Sequence, residues 1–335
     1  MENASQPVVE TSALTKQYGE FTALDRLSIS LNRGQILGFI GPNGAGKTTT
    51  IKILVGLIRP TSGSARIAGA DCVRDASRIK RLVGYMPDQF GLYDNMRVRE
   101  YLDFFGAVFG LHGRERERRI DEVLETTGSR YMQDLFVESL SHGMQQRIGL
   151  SRTLLHDPAV LILDEPANGL DPMARIEMRD LLLRLADSGK TLIVTSHILP
   201  ELARICNVVA IITHGKLRAF GTLDQIMREI RQRRTFEVQL VDRSQLAAAA
   251  ALIAAESSTA ERELVVISEA ETMVRFQTSR PDPELAGLVA RLVAGGVSFS
   301  QFRELATDLE DAFLSVTRQA DQVPELSTAS SSRVN

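Results

Sequence analysis

Short apolar runs and longer helical patterns alternate along the first two thirds of the chain. The most continuous runs lie at 36–40, 160–163, 191–196 and 208–213. Runs of this length predict strands buried on both faces, as in a parallel sheet. The segments between them carry apolar residues three and four apart, which predicts helices such as the one that ends at Gly189. The alternation favours an α/β fold.

Two further segments have patterns of their own. Leu27, Ile29 and Leu31 interleave with polar residues, which predicts a strand with one buried face. Between positions 98 and 110 four aromatic residues recur at helical spacing: Tyr101, Phe104, Phe105 and Phe109. Such a stripe is more typical of a helix packed into a core than of a partner surface, so we expect these rings to be buried.

The pattern changes after residue 222, and an arginine-rich stretch at 222–234 indicates a domain boundary. Beyond it the predicted order is strand, helix, strand, strand, helix, strand, and a last helix is expected at 309–317. This order is typical of a small α+β domain of the ferredoxin-like kind. We therefore expect a first domain, a second domain and a disordered Ser- and Thr-rich tail, at 1–222, 235–318 and 319–335.

Composition limits the classes of function. The chain has 335 residues, 44% of them hydrophobic, and a formal net charge of -3. That charge is too small to indicate nucleic-acid binding by bulk electrostatics. Cys72 and Cys206 lie far apart without metal-ligand spacing, so we expect reduced, buried residues of a cytosolic protein.

A membrane segment is not expected. The N-terminal residues lack the basic and apolar stretches of a signal peptide. The longest apolar run, 246–255, is mostly alanine and is half the length of the roughly 20 residues that a span needs. A role at a membrane would therefore depend on a partner.

The strongest functional motif follows the strand predicted at 36–40. It has the form G-x-x-x-x-G-K-[ST] and opens a helix, which is the context of a phosphate-binding loop. The pattern arises by chance in about one chain in a hundred of this length. Its glycines let successive N–H groups turn toward one anion, and the helix start adds its positive dipole end. The predicted nucleotide contacts are Gly41, Pro42, Asn43, Gly44, Ala45, Gly46, Lys47, Thr48 and Thr49.

Ionic roles can be assigned within this loop and at the end of another strand. Lys47 is expected to neutralise the β- and γ-phosphates, and the Thr48 hydroxyl to bind Mg²⁺. Asp164 and Glu165 end the strand predicted at 160–163, at the edge where parallel sheets bind ligands. Asp164 is expected to hold Mg²⁺, directly or through water. Glu165, which faces another way because strand side chains alternate, is expected to act as the general base on the attacking water.

Three more candidates depend on position. His197 follows the strand predicted at 191–196, where a phosphate-sensing role is favoured over a structural hydrogen bond because neighbouring strands end in the loop and the acid pair. Tyr18 falls in a predicted loop, where its ring either stacks on a base or packs on the surface. Ser141 is predicted to cap the helix that follows it.

In this order, the motifs resemble those of the ATP-binding subunits of ABC transporters, over about residues 1–222. The Walker A, signature, Walker B, D-loop and switch-histidine motifs correspond to 41–49, 140–144, 160–165, 168–171 and His197. The resemblance implies a P-loop NTPase cassette with a helical subdomain at about 90–157. Segments 85–93 and 307–314 resemble the single-cassette subunits of drug, antibiotic or polysaccharide exporters.

The resemblance also implies partners and further site residues. Two copies would enclose two ATP molecules head to tail, with Ser141 and the Gly143 N–H of one copy donating to the γ-phosphate held by the other. The dimer would bind a separate integral membrane permease, peripherally, at the cytoplasmic face of the cell membrane, without nucleic acid. A soluble ABC ATPase with a ribosomal, DNA-related or regulatory role is the alternative; the ribosomal and DNA-related proteins usually carry two cassettes or a long coiled-coil insertion.

The sequence departs from the family pattern at two motifs. His142 and Met144 replace the usual glycine and glutamine of the signature. After Pro87 the family has a glutamine that contacts Mg²⁺, whereas here Asp88 takes that place and Gln89 comes one residue later. We assign the Mg²⁺ contact to Gln89 and keep Asp88 as the alternative.

Overall fold

The structure is a computed structural model, in which the chain divides into two compact units with the change at Leu223 and Asp224. The described residues are 7–89, 91, 93, 95–196, 199–226, 234–256 and 265–305. Three expectations fall outside them, namely His197, the helix at 309–317 and the tail at 319–335. The role of His197, the helix and the disordered tail therefore stay predictions.

The first unit alternates strands and helices, as the sequence predicts. Its strands are β1 (Val9–Tyr18), β2 (Phe21–Leu31), β3 (Ile36–Ile40), β4 (Ser62–Ile67), β5 (Ala70–Asp71), β6 (Val83–Met86), β7 (Val160–Asp164), β8 (Thr191–Thr195), β9 (Val208–Thr213) and β10 (Lys216–Thr222). Its α-helices are α1 (Lys47–Leu54), α2 (Ala76–Leu82), α3 (Val98–Val108), α4 (Gly113–Thr126), α5 (His142–Leu154), α6 (Pro172–Asp187) and α7 (Leu199–Ala203).

These strands form two sheets. The order β2-β1-β4-β5 is antiparallel, and the order β10-β9-β3-β8-β7-β6 is parallel from β9 to β6. In β2, Leu27, Ile29 and Leu31 are buried while Ser28 and Ser30 are exposed, which confirms the predicted half-buried strand. Apolar side chains of both sheets join one core with those of α1. The α/β prediction is therefore confirmed.

Local helix signals also have the expected effect. The Asp171 side chain accepts a hydrogen bond from the Ala174 N–H at 2.8 Å, and Pro172 takes the first helical position of α6. The apolar face of α6 is buried as predicted: Met178, Leu181, Leu182 and Leu185. Gly189 follows the helix with φ of 90°, a left-handed conformation that glycine adopts without strain.

Two boundaries differ from the expectation. Tyr18 is the last residue of β1, paired with Phe21 across a tight turn, rather than part of a loop. The strand expected from Arg81 begins at Val83 instead. Arg81 belongs to the last turn of α2, where a basic side chain is favourable beside the free carbonyl groups.

The prediction that the aromatic stripe is buried is wrong for two of its four residues. Tyr101 is fully buried, but Phe104 is 41% exposed and Phe109 is 37% exposed. Phe105 is half-buried, with its ring centroid 4.9 Å from that of Tyr101, so Phe104 and Phe109 are the two rings that α3 leaves exposed. The ring of Tyr93 packs against Phe104 and Phe105, with centroids 5.6 and 6.1 Å away. We call Tyr93, Phe104 and Phe105 the aromatic surface.

The second unit has the predicted order of elements. They are β11 (Arg234–Leu240), α8 (Leu246–Glu256), β12 (Val266–Ser268), β13 (Met273–Thr278), α9 (Asp282–Ala294) and β14 (Phe299–Leu305). The sheet order β12-β13-β11-β14 is antiparallel throughout, which is the ferredoxin-like arrangement. The helices and one sheet face share a core that includes Val238, Ile253 and Leu288.

In the second unit, the sheet face that points away from the helices holds a buried ion cluster. The side chain of Glu237 is 1% exposed and accepts hydrogen bonds from Arg275 at 2.8 Å and from Arg303 at 2.9 Å. Burial raises the pKa of the Glu237 carboxyl, but the hydrogen bonds from both guanidinium groups outweigh burial and leave the pKa below its ordinary value. The carboxylate therefore helps to hold β11, β13 and β14 together.

Both cysteines are free and buried, as predicted. Burial raises the pKa of the Cys72 thiol to about 12, and burial also raises that of Cys206. Neither is therefore a thiolate near neutral pH. Within the described residues, no helix combines the length and the apolar character needed to cross a bilayer.

Candidate nucleotide-binding site

The predicted site residues gather at one edge of the parallel sheet. The loop 41–46 follows β3, Glu165 follows β7, and Pro87 follows β6. β8 lies between β3 and β7, with Thr195 in register with both Phe39 and Asp164. Because parallel strands present their carboxyl ends at one edge, the loop and the acid pair face the same crevice.

The loop has the shape of an anion cradle. Gly44 and Gly46 have φ of 79° and 108°, left-handed values that other residues rarely adopt. A Cβ on Gly41 would lie 2.4 Å from the Ile212 carbonyl oxygen, so only glycine fits there. Pro42, Asn43 and Gly44 are exposed, whereas Ala45 and Gly46 are buried. The exposed residues of the loop are therefore open to a ligand, while the buried residues 45 and 46 anchor the loop to the core.

The Lys47 ammonium lies over this loop. Its Nζ donates to the carbonyl oxygens of Gly41 and Pro42, at 2.6 and 3.0 Å. Burial lowers the pKa of Lys47, while the nearby charges of Glu165 and Asp164 raise it in part. The three ionic groups thus share one electrostatic environment, although they are far apart in sequence. A phosphate bound here would favour the charged form of the partly buried ammonium.

Donors for a metal ion lie beside Lys47. Thr48 is in the first turn of α1 with its side chain exposed, Thr49 is half-buried, and Asp164 ends β7 half-buried. A hydroxyl and a carboxylate are the hard oxygen ligands that Mg²⁺ prefers, usually together with substrate phosphates. The described residues contain no cluster of three or more His, Cys, Asp or Glu suited to a metal. One hydroxyl and one carboxylate leave most coordination positions of a metal ion open, so this donor set fits a metal that is bound together with nucleotide phosphates.

Glu165 leaves the strand in an unexpected conformation. Its φ is 53°, a left-handed value that costs a residue with a side chain about 1 to 2 kcal/mol. Its N–H donates to both the carbonyl and the hydroxyl oxygen of Thr195, at 3.2 and 3.1 Å. The direction of the Glu165 side chain is thus set by this turn and not by strand alternation, which corrects the reason given from sequence.

Thr195 and Asn168 are the contact residues that sequence reasoning missed. The Thr195 hydroxyl donates to Oδ1 of Asp164 at 2.5 Å. The resemblance places Asn168 in the D-loop motif but does not predict its contacts. Its side-chain amide donates to Asp88 at 3.2 Å, and its backbone carbonyl oxygen lies 2.9 Å from Nε2 of His142. Two of the residues that depart from the family pattern, Asp88 and His142, therefore contact the same residue. Gln89 is exposed, and its predicted metal contact stays a prediction.

The signature segment begins α5. Ser141 is the N-cap, and its exposed hydroxyl accepts from the Met144 N–H at 3.4 Å, which confirms the predicted cap. A Cβ on Gly143 would lie 3.5 Å from Ala174 and 3.6 Å from Leu170, in ordinary contact. His142 and Gly143, in the first turn of α5, thus lie against residues 168–174, the segment that follows β7.

Tyr18 lies in the other sheet of the first unit. Half of its surface is exposed, and Nζ of Lys16 lies 4.9 Å from the ring centroid. An exposed ring at the end of β1 suits stacking on a flat ligand. The base-stacking role stays a prediction.

Comparisons with known proteins agree with this geometry. The ABC transporter family model matches residues 24–168. The chain is 42% identical over 238 residues to the bacitracin transport ATP-binding protein BcrA of Bacillus licheniformis, covering 71% of this chain and 76% of that one. It is 35% identical over 314 residues to Nod factor export ATP-binding protein I of Ralstonia nicotianae, covering 93% and 94%.

Coverage differs among the relatives. The probable multidrug ABC transporter ATP-binding protein YbhF of Escherichia coli is 38% identical over 221 residues, but the match spans 66% of this chain and only 38% of that protein. A solved structure of an ATP-binding subunit of an ABC transporter superimposes with a TM-score of 0.61 at 30% identity, covering 67% of this chain and 93% of that one. The chain therefore belongs to the ATP-binding proteins of ABC transporters, a family that hydrolyses ATP.

Proposed function

We propose that this chain is the ATP-hydrolysing subunit of an ABC export system, in which two copies bind two Mg-ATP molecules head to tail and drive a separate permease. The observation that carries the proposal is that Lys47, Asp164 and Glu165 lie close together at one edge of the sheet. They lie beside a loop whose first position, Gly41, has no room for a side chain. The name of the bacitracin transport relative supports transport, and the name of the Nod factor export relative supports export.

Each site residue has a role in this reaction. The backbone N–H groups of 41 and 43–49 and the Lys47 ammonium bind the phosphates, because phosphoryl transfer depends on positioning and charge neutralisation. Thr48 and Asp164 would hold Mg²⁺, which supplies positive charge against the β- and γ-phosphate oxygens. Glu165 accepts a proton from the attacking water. The other assigned contacts are Tyr18 with the base, Gln89 with the metal and His197 with the γ-phosphate.

The second half of the site comes from the other copy. Ser141 is exposed at the start of α5, where the helix dipole favours an anion. The hydroxyl of Ser141 and the N–H of Gly143 would donate to a γ-phosphate bound by the partner's loop. ATP then bridges the two copies and stabilises the closed dimer, and hydrolysis removes the bridging phosphate. The permease would follow this change from the cytoplasmic face of the cell membrane.

The permease partner is tested by capture on the tagged full chain from solubilised native membranes. The aromatic surface exposes the rings of Tyr93 and Phe104, with Phe105 half-buried beneath them, and an exposed apolar patch favours a protein partner. We expect an integral membrane protein to be retained by the wild type and lost with Phe104→Ser. It should be kept with Phe21→Ser, a control at an exposed ring that lies in strand β2 rather than on α3. Capture of ribosomes or DNA without a membrane protein would instead favour the soluble alternative and contradict the proposal.

A further inference from the structure

Thr195 ends β8, between the strand that leads into the phosphate loop and the strand that carries the acid pair. Its side chain is completely buried. The hydroxyl donates to Oδ1 of Asp164 at 2.5 Å and accepts from the N–H of Glu165 at 3.1 Å. One buried oxygen therefore contacts both residues to which the metal and general-base roles are assigned.

We propose that Thr195 is a positioning residue for ATP hydrolysis, which fixes the Asp164 carboxylate for the metal and the backbone turn that directs Glu165. The inference rests on the proposed function. It gives a buried residue at the end of β8 a role in orienting the two acidic residues at the end of β7.

The contact with Asp164 restricts a carboxylate that would otherwise rotate. An ionised carboxylate has about four acceptor positions, and the Thr195 hydrogen occupies one of them on Oδ1. The remaining positions stay available to a metal ion or its water. Partners of this kind orient metal-binding groups, and their loss weakens metal binding about 10- to 100-fold in known sites.

The contact with Glu165 stabilises a backbone that its side chain does not favour. The Glu165 N–H is shared between the carbonyl and the hydroxyl of Thr195, and φ is 53°. Valine at 195 has the shape of threonine but no oxygen, so one of these two acceptors would be lost. The turn would then be less fixed, and with it the direction of the general base.

A purely structural role predicts a different outcome, and Thr191 provides the matched comparison. Thr191 begins the same strand and is equally buried. Its hydroxyl also makes two hydrogen bonds, accepting from the Gly34 N–H at 3.2 Å and donating to the Asn32 carbonyl at 3.4 Å. Thr191→Val therefore removes a buried, doubly bonded hydroxyl at the opposite edge of the sheet, far from the acid pair.

The experiment compares Thr195→Val, Thr195→Ser and Thr191→Val in the full chain. The readouts are kcat and KM for ATP, and calorimetric ATP binding with and without Mg²⁺. We expect Thr195→Val to lower kcat about 10- to 100-fold and to reduce the gain in ATP affinity that Mg²⁺ provides, with Mg²⁺-free ATP binding within about 2-fold of wild type. Thr195→Ser should restore both properties, and Thr191→Val should change neither.

Equal effects of Thr195→Val and Thr191→Val on kcat and on the Mg²⁺ gain would overturn the inference. If the valine variant does not fold, Thr195→Cys replaces it, because a thiol is a weak donor and a weak acceptor; wild-type Mg²⁺ dependence and kcat in that variant would overturn it as well. A wild-type chain that neither binds Mg-ATP nor hydrolyses it would instead refute the proposed function.

Discussion

Replacing Glu165 with Gln is expected to leave ATP binding near the wild-type level and to lower hydrolysis about 10²-fold or more. The amide has the shape of the carboxyl group and leaves the left-handed turn in place, but it cannot accept a proton from water. Lys47 and the loop, to which phosphate binding is assigned, are unchanged. Phosphate release and a calorimetric ATP titration measure the two effects separately.

The matched control for this variant is Glu125→Gln, an exposed carboxylate on α4 whose side chain is 76% exposed. It should hydrolyse ATP at the wild-type rate. Wild-type turnover in Glu165→Gln, or an equal loss in both variants, would contradict the general-base role.

Lys47→Ala is expected to act on binding itself. The substitution removes the ammonium from a partly buried position beside Asp164 and Glu165, so the phosphates would meet two carboxylates without their cation. Loss of one partner of such a charge pair costs about 2 kcal/mol or more, which weakens ATP binding at least about 30-fold. Calorimetry on the purified chain measures this change.

The control for Lys47→Ala lies on the same helix. Lys52 is exposed near the end of α1, and Lys52→Ala should leave ATP affinity unchanged. Unaltered affinity in Lys47→Ala, or the same loss in Lys52→Ala, would count against the loop as the phosphate site.

Local signals account for what the sequence predicted well. The glycines and lysine of 41–49, the Asp171 cap and the apolar strands depend on neighbours in the chain, so their effect is visible in the residue order. The βαββαβ order of the second unit is likewise a succession of local patterns. These features place the loop and the acid pair at one edge once parallel pairing is assumed.

Other features depend on contacts between distant segments. The hydrogen bond from Thr195 to Asp164 joins two residues that are 31 positions apart in the sequence. It forms because β7 and β8 pair in the register that sets Asp164 opposite Thr195. The turn at Glu165 is held by the same neighbour, so alternation along β7 gave the wrong reason for its direction. The exposed rings of Phe104 and Phe109 show a similar limit, because helical spacing predicts a stripe but not what covers it.

Heterodimers that carry defined substitutions test most directly whether the ATP site is shared between two copies. With Lys47→Ala on one copy and Ser141→Arg on the other, a head-to-tail dimer keeps one site with both an unaltered loop and an unaltered α5 start. With both substitutions on one copy and a wild-type partner, each site has one defect. We predict ATP hydrolysis by the first heterodimer and little by the second. Hydrolysis by the second and not the first would show that each site lies within a single chain, which would contradict the account.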